Sequence, residues 1–268
     1  MPLPAPTESG IALVTGASSG IGAAIARELA ARGHGVVLVA RREDRLRELA
    51  AEIDREHDVR AETVAADLAD AAARDLLVAR LDELGLGVEI LVNNAGFGAY
   101  GAGIEIERDR LVEMVRVNCE ALLDLQARFA PAMAARGHGA ILNVASTAAF
   151  QPLPGSACYA ATKAFVLSLT EATHAELRGS GVAVTALCPG PVRTEFGRVA
   201  GVARQEGQLP RPFWTSAGSV AKEAVEGLAN NKRVVIPGLL NRAGAVGGQH
   251  VPRALVLPIA DRVRRAAL

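Results

Sequence analysis

The sequence alternates short runs of Val, Ile and Leu with longer segments rich in Ala, Leu and Arg that repeat at the helical period. This alternation is typical of βαβ units, in which helices join parallel strands and pack on the sheet. The apolar runs contain few interspersed polar residues, which indicates a sheet that is covered on both faces. We therefore predict an α/β fold built on a doubly wound parallel sheet.

The same pattern gives the expected boundaries. The predicted strands span residues 11–15, 35–40, 61–66, 88–93, 139–146, 182–188 and 233–237. The predicted helices span residues 20–32, 43–56, 70–84, 107–135, 157–179 and 216–229. A chain of 268 residues can bury one such core, so we expect a single domain over 1–268 with its core at 9–237. Residues 189–215 lack a period and are expected to form a substrate lid loop, followed by a C-terminal extension at 238–268.

Charge and cysteine content exclude several classes of function. The chain has 29 basic and 29 acidic residues and no strongly basic block, so neither nucleic acid nor an anionic membrane surface is an expected partner. No apolar run reaches the roughly 18 residues of a membrane span, and the N-terminal segment lacks the features of a secretory signal. The three cysteines and five histidines lack disulfide or metal-ligand spacing, so no metal is expected. These features favour a cytoplasmic globular protein.

The first strand-to-helix junction, "LVTGASSGIG" at 13–22, is rich in glycine. Gly16, Gly20 and Gly22 would let the backbone turn tightly and approach a pyrophosphate at the helix N-terminus. The spacing G-x-x-x-G-x-G differs from the usual G-x-G-x-x-G fingerprint, and an ordinary tight turn is the alternative. Its position after the first strand favours nucleotide binding. The other candidate cofactor-binding residues of this turn are Ser18, Ser19 and Ile21.

The end of the second strand indicates which dinucleotide is bound. An acidic residue at this place would bind the ribose hydroxyls of NAD. Here Ala40 is followed by Arg41 and Arg42, whose guanidinium groups suit a 2′-phosphate. A solvated arginine pair at the start of a surface helix is the alternative. We predict that the cofactor is NADP(H).

The motifs "TGASSGIG", "NNAG" at 93–96 and "YAATK" at 159–163, together with Asn118 and Ser146, resemble the short-chain dehydrogenase/reductase family. The resemblance covers residues 9–237 in the order and spacing of the family. It implies a Rossmann fold with strand order 3-2-1-4-5-6-7 and hydride transfer between NADP(H) and a carbonyl or alcohol. It also implies a homodimer or homotetramer, in which helices 107–135 and 157–179 pair across subunits. Phe165, Leu169 and Leu177 form an apolar face on the second of these helices.

Tyr159 and Lys163 are one helical turn apart, so both side chains would project from one face. Tyrosine ordinarily titrates near pH 10, and a neighbouring cation favours the phenolate. Lys163 would therefore allow Tyr159 to exchange a proton with a substrate oxygen near neutral pH. Ordinary surface neighbours are the alternative for such a pair. The resemblance implies that Tyr159 is the general acid/base and that Lys163 also holds the nicotinamide ribose.

Two further catalytic candidates come from the same resemblance. Ser146 ends the fifth predicted strand, where a side chain would point into the ligand crevice, and the family uses it to bind the substrate oxygen. Its alternative role is a turn or helix cap, for which Thr147 and Ser156 look better placed. Asn118 lies in an otherwise apolar helical run, and the family uses it in a proton relay through water.

The remaining cofactor contacts are also implied by resemblance. Three residues after the fourth strand would lie on the adenosine side: Asn94, Ala95 and Gly96. Asp67 and Leu68 would border the adenine, although a plain turn aspartate is the alternative. Four residues after the sixth strand would contact the nicotinamide or a phosphate: Pro189, Gly190, Val192 and Thr194.

The substrate is expected to be a medium-sized apolar ketone, aldehyde or acyl thioester. The predicted lining is mostly apolar and comes from residues 97–100, 150–154 and 195–215, the last with Phe213 and Trp214. The alternative function is an NADP(H)-binding redox sensor without turnover. That alternative predicts degraded catalytic residues, whereas all four are present. An epimerase or dehydratase would need a longer C-terminal substrate domain.

Overall fold

The computed structural model describes residues 3–201 and 211–266, and within them the strands form one seven-stranded parallel sheet. Its order, β3-β2-β1-β4-β5-β6-β7, confirms the predicted doubly wound topology. The strands are β1 Gly10–Thr15, β2 Gly35–Ala40, β3 Ala61–Ala65, β4 Gly87–Asn93, β5 Gly139–Val144, β6 Val182–Leu187 and β7 Val234–Val235.

Helices cover both faces of this sheet. The α-helices are α1 Gly20–Ala30, α2 Glu43–His57, α3 Ala71–Glu83, α4 Arg108–Val115, α5 Leu122–Arg136, α6 Ala157–Glu176, α7 Phe196–Ala200, α8 Ala217–Ala229, α9 Leu239–His250 and α10 Arg253–Ala266. A π-helical segment, Arg116–Ala121, joins α4 to α5, and 3₁₀ turns occupy Thr147–Phe150 and Arg211–Phe213.

Alternate residues of each strand face opposite sides of the sheet, and both sides are apolar. In β1, Val14 belongs to a buried cluster with Leu29 of α1, whereas Leu13 belongs to a second cluster with Leu77 of α3. Burial on both faces explains why the strand sequences show no polar alternation. The carboxyl ends of the strands then meet at one edge, where ligands bind in folds of this type.

Most boundaries differ from the prediction by a few residues, and three larger differences concern the site and its surroundings. The predicted helix 107–135 is interrupted by the π-helical segment. The sequence pattern did not predict this segment, because one extra residue in a turn leaves almost no trace in a 3.6-residue period. Strand β5 ends at Val144, so Ser146 lies two residues beyond the strand. The extension after residue 237, for which no helix bounds were predicted, forms helices α9 and α10. In residues 3–201 and 211–266, no helix combines the length and apolarity needed to cross a bilayer.

Candidate active site

A cavity of about 660 Å³ opens at the carboxyl edge of the sheet. It brings together nearly all the residues that the sequence singled out. Those on its wall are Gly16, Ser18, Ser19, Gly20, Ile21, Arg41, Arg42, Asp67, Leu68, Asn94, Ala95, Gly96, Ser146, Tyr159, Lys163, Pro189, Gly190, Val192 and Thr194. Gly22 and Asn118 lie behind this wall. Within the described residues, no group of three or more His, Cys, Asp or Glu side chains could hold a metal ion.

The glycine turn after β1 has the backbone that a phosphate cradle requires. Gly16 and Gly20 adopt φ angles of 65° and 60°, a region that strongly favours glycine. The Asn94 side chain stabilises the turn by donating to the carbonyl oxygens of Thr15, at 2.8 Å, and Gly16, at 3.2 Å. A Cβ at Gly22 would meet this same Gly16 carbonyl, so Gly22 allows close packing beneath the turn.

Helix α1 begins directly after this turn. Ser19 is its N-cap residue but makes no side-chain bond to the first-turn N–H groups. These N–H groups therefore have no side-chain cap, and the positive end of the helix dipole suits a pyrophosphate. The turn fits a dinucleotide.

The two arginines after β2 are both held by carboxylates. Arg41 donates to Glu113 of α4 at 3.3 Å, and Arg42 donates to Glu195 at 2.9 Å. Arg42 also donates to the side-chain oxygens of two serines of the glycine turn, Ser18 and Ser19. No sequence pattern predicted that Glu113 and Glu195 would meet these two arginines.

Asp67 and Leu68 lie at the cavity wall beyond β3. The Asp67 carboxylate accepts from the Ala69 backbone N–H at 3.1 Å, so it has the turn role that the sequence left as an alternative. The Leu68 carbonyl accepts from buried Arg74 at 2.7 Å. Arg74 is also paired with Asp124 of α5, which anchors this loop to the helix layer.

Tyr159 lies in the first turn of α6, and Lys163 follows one turn later. The Lys163 Nζ lies 5.8 Å from the centroid of the Tyr159 ring and donates to the Val144 carbonyl at 2.8 Å. Burial lowers the pKa of Lys163 to about 8, so it remains mostly charged at neutral pH. The helix therefore places a buried cation beside the phenol, as the i, i+4 spacing predicted.

Ser146 is the N-cap of the 3₁₀ turn that begins at Thr147. Its Oγ accepts from the Ala148 backbone N–H at 3.1 Å. The expectation that Thr147 or Ser156 would be the better cap is wrong, since Ser156 precedes α6 without a side-chain cap bond. A serine that accepts one bond keeps its O–H donor, which remains suited to a substrate oxygen.

Asn118 is buried in the π-helical segment. Its Oδ1 accepts from the Phe97 N–H, and its Nδ2 donates to the Phe97 carbonyl, both at 3.0 Å. A further bond, also 3.0 Å, joins Nδ2 to the Thr162 hydroxyl on α6. A Cβ at Gly96 would lie 2.9 Å from Asn118 Oδ1, so the absence of a side chain there allows this packing. Asn118 thus anchors the loop after β4 from behind the cavity.

The loop after β6 closes the cofactor side. Val192 forms a β-bridge with Thr215 across the loop. The Thr194 side chain lies about 3.2 Å from the position that a Cβ on Gly20 would occupy. Behind Gly190 lies the buried side chain of Asn241, contributed by α9. The C-terminal extension therefore supports the cofactor loop, which no sequence motif indicated. Residues 202–210 of the predicted lid loop lie outside the described residues.

Several apolar side chains lie on the cavity wall, among them Phe97, Leu153 and Val199. The Phe196 ring lies 5.5 Å from the Tyr159 ring. Four other aromatic residues of the predicted lining are not on the described wall: Tyr100, Phe150, Phe213 and Trp214. Phe150 packs against a buried cluster, whereas Phe213 and Trp214 belong to a turn that α9 holds through the Phe213 carbonyl.

Comparison with known protein families agrees with the family resemblance of the sequence motifs. A family model described as "short chain dehydrogenase" matches residues 10–208, which is most of the chain. The chain belongs to the short-chain dehydrogenase family. Among curated members of that family, sulfoacetaldehyde reductase 2 from Chromohalobacter salexigens is 38% identical over 190 residues, covering 70% of this chain and 75% of that protein.

Solved short-chain dehydrogenases share the whole architecture. An enzyme from Sphingobium yanoikuyae in complex with NADPH is 36% identical, with a TM-score of 0.79 over 96% of this chain and 94% of that one. L-sorbose reductase from Gluconobacter frateurii, complexed with NADPH and L-sorbose, is 30% identical, with a TM-score of 0.74 over 87% of this chain and 99% of that one. The likeness extends beyond the motifs to the chain as a whole.

Proposed function

We propose that this short-chain dehydrogenase is an NADP(H)-dependent oxidoreductase that interconverts a carbonyl and an alcohol. The observation that carries the proposal is the convergence of Ser146, Tyr159 and Lys163 on the cavity that also contains the glycine turn and the two arginines. The NADPH complexes of its structural neighbours support this choice of cofactor. The nicotinamide of NADP(H) supplies or accepts the hydride.

Each catalytic side chain has a distinct task in reduction. The Tyr159 hydroxyl donates its proton to the carbonyl oxygen, and the Ser146 hydroxyl donates a hydrogen bond to the same oxygen as negative charge develops there. The Lys163 cation stabilises the phenolate that remains. Asn118 holds the adjoining loop and takes part in the relay that returns a proton to the tyrosine. In the oxidative direction the same groups act in reverse.

The substrate proposed for this site is a medium-sized apolar ketone, aldehyde or acyl thioester. The support is the set of apolar side chains on the cavity wall, which includes Phe97, Leu153, Phe196 and Val199. Such a wall favours substrates that bury apolar surface against it. The Tyr159 and Ser146 hydroxyl groups, which bind the carbonyl oxygen, fix the orientation of the substrate.

The test is NADPH oxidation against a panel of ketones, aldehydes and 3-oxoacyl thioesters, with Tyr159→Phe and the matched control Tyr100→Phe. Tyr100 is the other tyrosine of the chain and does not lie on the cavity wall. Loss of the proton donor should lower turnover by at least about a hundredfold in Tyr159→Phe while NADPH still binds. Tyr100→Phe should retain wild-type turnover. Near wild-type turnover by Tyr159→Phe would refute the mechanism.

We also infer a homodimer or homotetramer. Three large apolar side chains are exposed on the helices that the resemblance assigns to subunit pairing: Val115, Leu123 and Phe165. The other two residues of the predicted face, Leu169 and Leu177, pack inward instead. A monomeric mass by light scattering would contradict the assembly, and Phe165→Glu should weaken it.

A further inference from the structure

Arg42 lies on the cavity wall, and its side-chain donors are directed at residues of the protein. Its Nη1 donates to Glu195 at 2.9 Å, and its Nη2 donates to Ser18 and Ser19 at 2.9 and 2.8 Å. Its Nε donates to Ser18 at 3.2 Å. The side of the guanidinium that would form a two-point contact with a phosphate is therefore already occupied.

Glu195 is a charged partner for this arginine. Its bond to Arg42 lowers the pKa of its carboxyl group, so it is ionised at neutral pH. The neighbouring Arg41 is held in the same way by Glu113. Both glutamates lie on the cavity wall, so each of the two arginines assigned to the 2′-phosphate has a carboxylate partner within the protein.

We propose that Glu195 is a specificity-setting residue, which competes with the cofactor 2′-phosphate for Arg42 and is displaced when NADP(H) binds. The inference rests on the NADP(H) function proposed above. A cofactor without the 2′-phosphate leaves the Arg42–Glu195 pair intact and gains nothing from either residue. Glu195 therefore affects the affinity for NADPH and not the affinity for NADH.

The structure provides Glu195 with a partner after displacement. Its second oxygen accepts from Arg198, one turn along α7, at 3.2 Å. Glu195 thus retains a cation when Arg42 turns to the phosphate, and the exchange leaves no carboxylate without a partner. The exchange of partners costs little free energy, because both ion pairs are solvent-exposed and individually weak.

The experiment measures dissociation constants for NADPH and NADH by fluorescence titration at fixed pH and ionic strength. The proteins are wild type, Glu195→Gln, Arg42→Gln and the double variant. Glu83→Gln is the matched control, since it breaks an exposed arginine–glutamate pair, Arg80–Glu83, away from the cavity wall. Circular dichroism verifies that each variant is folded.

The expected result is that Glu195→Gln tightens NADPH binding by about two- to fivefold and leaves NADH binding unchanged. Arg42→Gln should weaken NADPH binding by about tenfold or more, because a charge-assisted two-point contact is lost. In the double variant the gain from Glu195→Gln should vanish, because Arg42 is no longer there to be released. Glu83→Gln should match wild type.

Three results would overturn the proposal, and they have different meanings. Unchanged NADPH affinity in Glu195→Gln, together with a loss in Arg42→Gln, would reject the competition and leave the NADP(H) function intact. An equal gain from Glu195→Gln with and without Arg42 would show direct repulsion of the phosphate instead of competition. Unchanged NADPH affinity in Arg42→Gln would reject the phosphate role of Arg42 and the competition with it.

Discussion

Asn118 and Phe97 form a two-point pair in which one side-chain amide satisfies both backbone groups of one residue, each at 3.0 Å. The pair joins the π-helical segment to the loop that follows β4. Asn118 is buried, whereas Phe97 is partly buried and lies on the cavity wall. Asn118 is therefore a structural anchor of the cavity wall as well as the proposed member of a proton relay.

Asn118→Ala should lower the free energy of unfolding by about 1–3 kcal/mol, because two partly buried backbone groups of Phe97 and the buried Thr162 hydroxyl lose their partner. Urea denaturation measures this change. Asn230→Ala is the control, since Asn230 is exposed and donates only to the Glu226 carbonyl, and it should cost less than about 1 kcal/mol. Lost activity with unchanged stability in Asn118→Ala would argue for a relay role alone.

Gly16→Ala should destabilise the fold by about 1–3 kcal/mol and weaken NADPH binding by at least about tenfold. The alanine would have to keep the positive φ of Gly16, and its Cβ would lie 2.9 Å from the Ala95 Cα. Gly85→Ala is a matched control, because Gly85 has a φ of 66° but no atom within 4 Å of the new Cβ. Equal losses in the two variants would show that only backbone strain matters.

Lys163 should make stability depend on pH in the alkaline range. Burial lowers its folded pKa to about 8 from 10.5, so between these values the unfolded chain binds more protons than the folded one. Stability must then rise with pH, relative to Lys163→Met, by about 1 kcal/mol for each pH unit between 8 and 10. Denaturant titrations of both proteins measure the difference.

The exposed Lys222 provides the control for this pH dependence. Lys222→Met should parallel wild type across the same range, because the Lys222 side chain is exposed and stays hydrated in both the folded and the unfolded chain. A stability difference between wild type and Lys163→Met that stays constant from pH 8 to 10 would show that Lys163 is not desolvated as the structure indicates.

Arg110 should influence substrate binding without taking part in the chemistry. Its guanidinium lies 5.1 Å from the Phe97 ring centroid and donates to the Val199 carbonyl of α7 at 2.9 Å. Arg110→Gln removes this link between two parts of the substrate wall and should raise KM for carbonyl substrates by about three- to tenfold with little change in kcat. Steady-state kinetics would show the split.

A matched control for Arg110 lies two residues earlier in the same helix. Arg108 is largely exposed and pairs with its neighbour Asp109. Arg108→Gln should leave both kinetic constants unchanged. A fall in kcat at constant KM for Arg110→Gln would place its effect on the chemical step instead of on the substrate wall.

Local patterns predicted the sheet and much of the site. The apolar runs placed β1 to β6, and the helical spacing of Tyr159 and Lys163 placed both on one face of α6. The glycine turn was predicted from Gly16 and Gly20, whose positive φ angles require the residue type seen in the sequence. Each of these features depends on neighbours within a few positions, which is why sequence alone could reveal them.

Other features depend on residues far apart in the chain. The π-helical segment around Asn118 is accompanied by bonds to Phe97 and Thr162, which lie 21 and 44 positions away. The support of Gly190 by Asn241 required α9 to fold back onto the loop after β6. Neither arrangement leaves a periodic signal, because one side chain of suitable size and polarity is sufficient in each case.

The doubly wound α/β fold could be predicted from local patterns, because helical and strand periods express burial directly. The glycine turn and the Tyr–Lys pair are likewise local in sequence. The groups that these residues meet depend on the tertiary structure. It placed Glu195 on Arg42, 153 positions away, and the Val144 carbonyl on Lys163. Such pairings follow from how the layers pack in space, and the order of residues along the chain does not encode them locally.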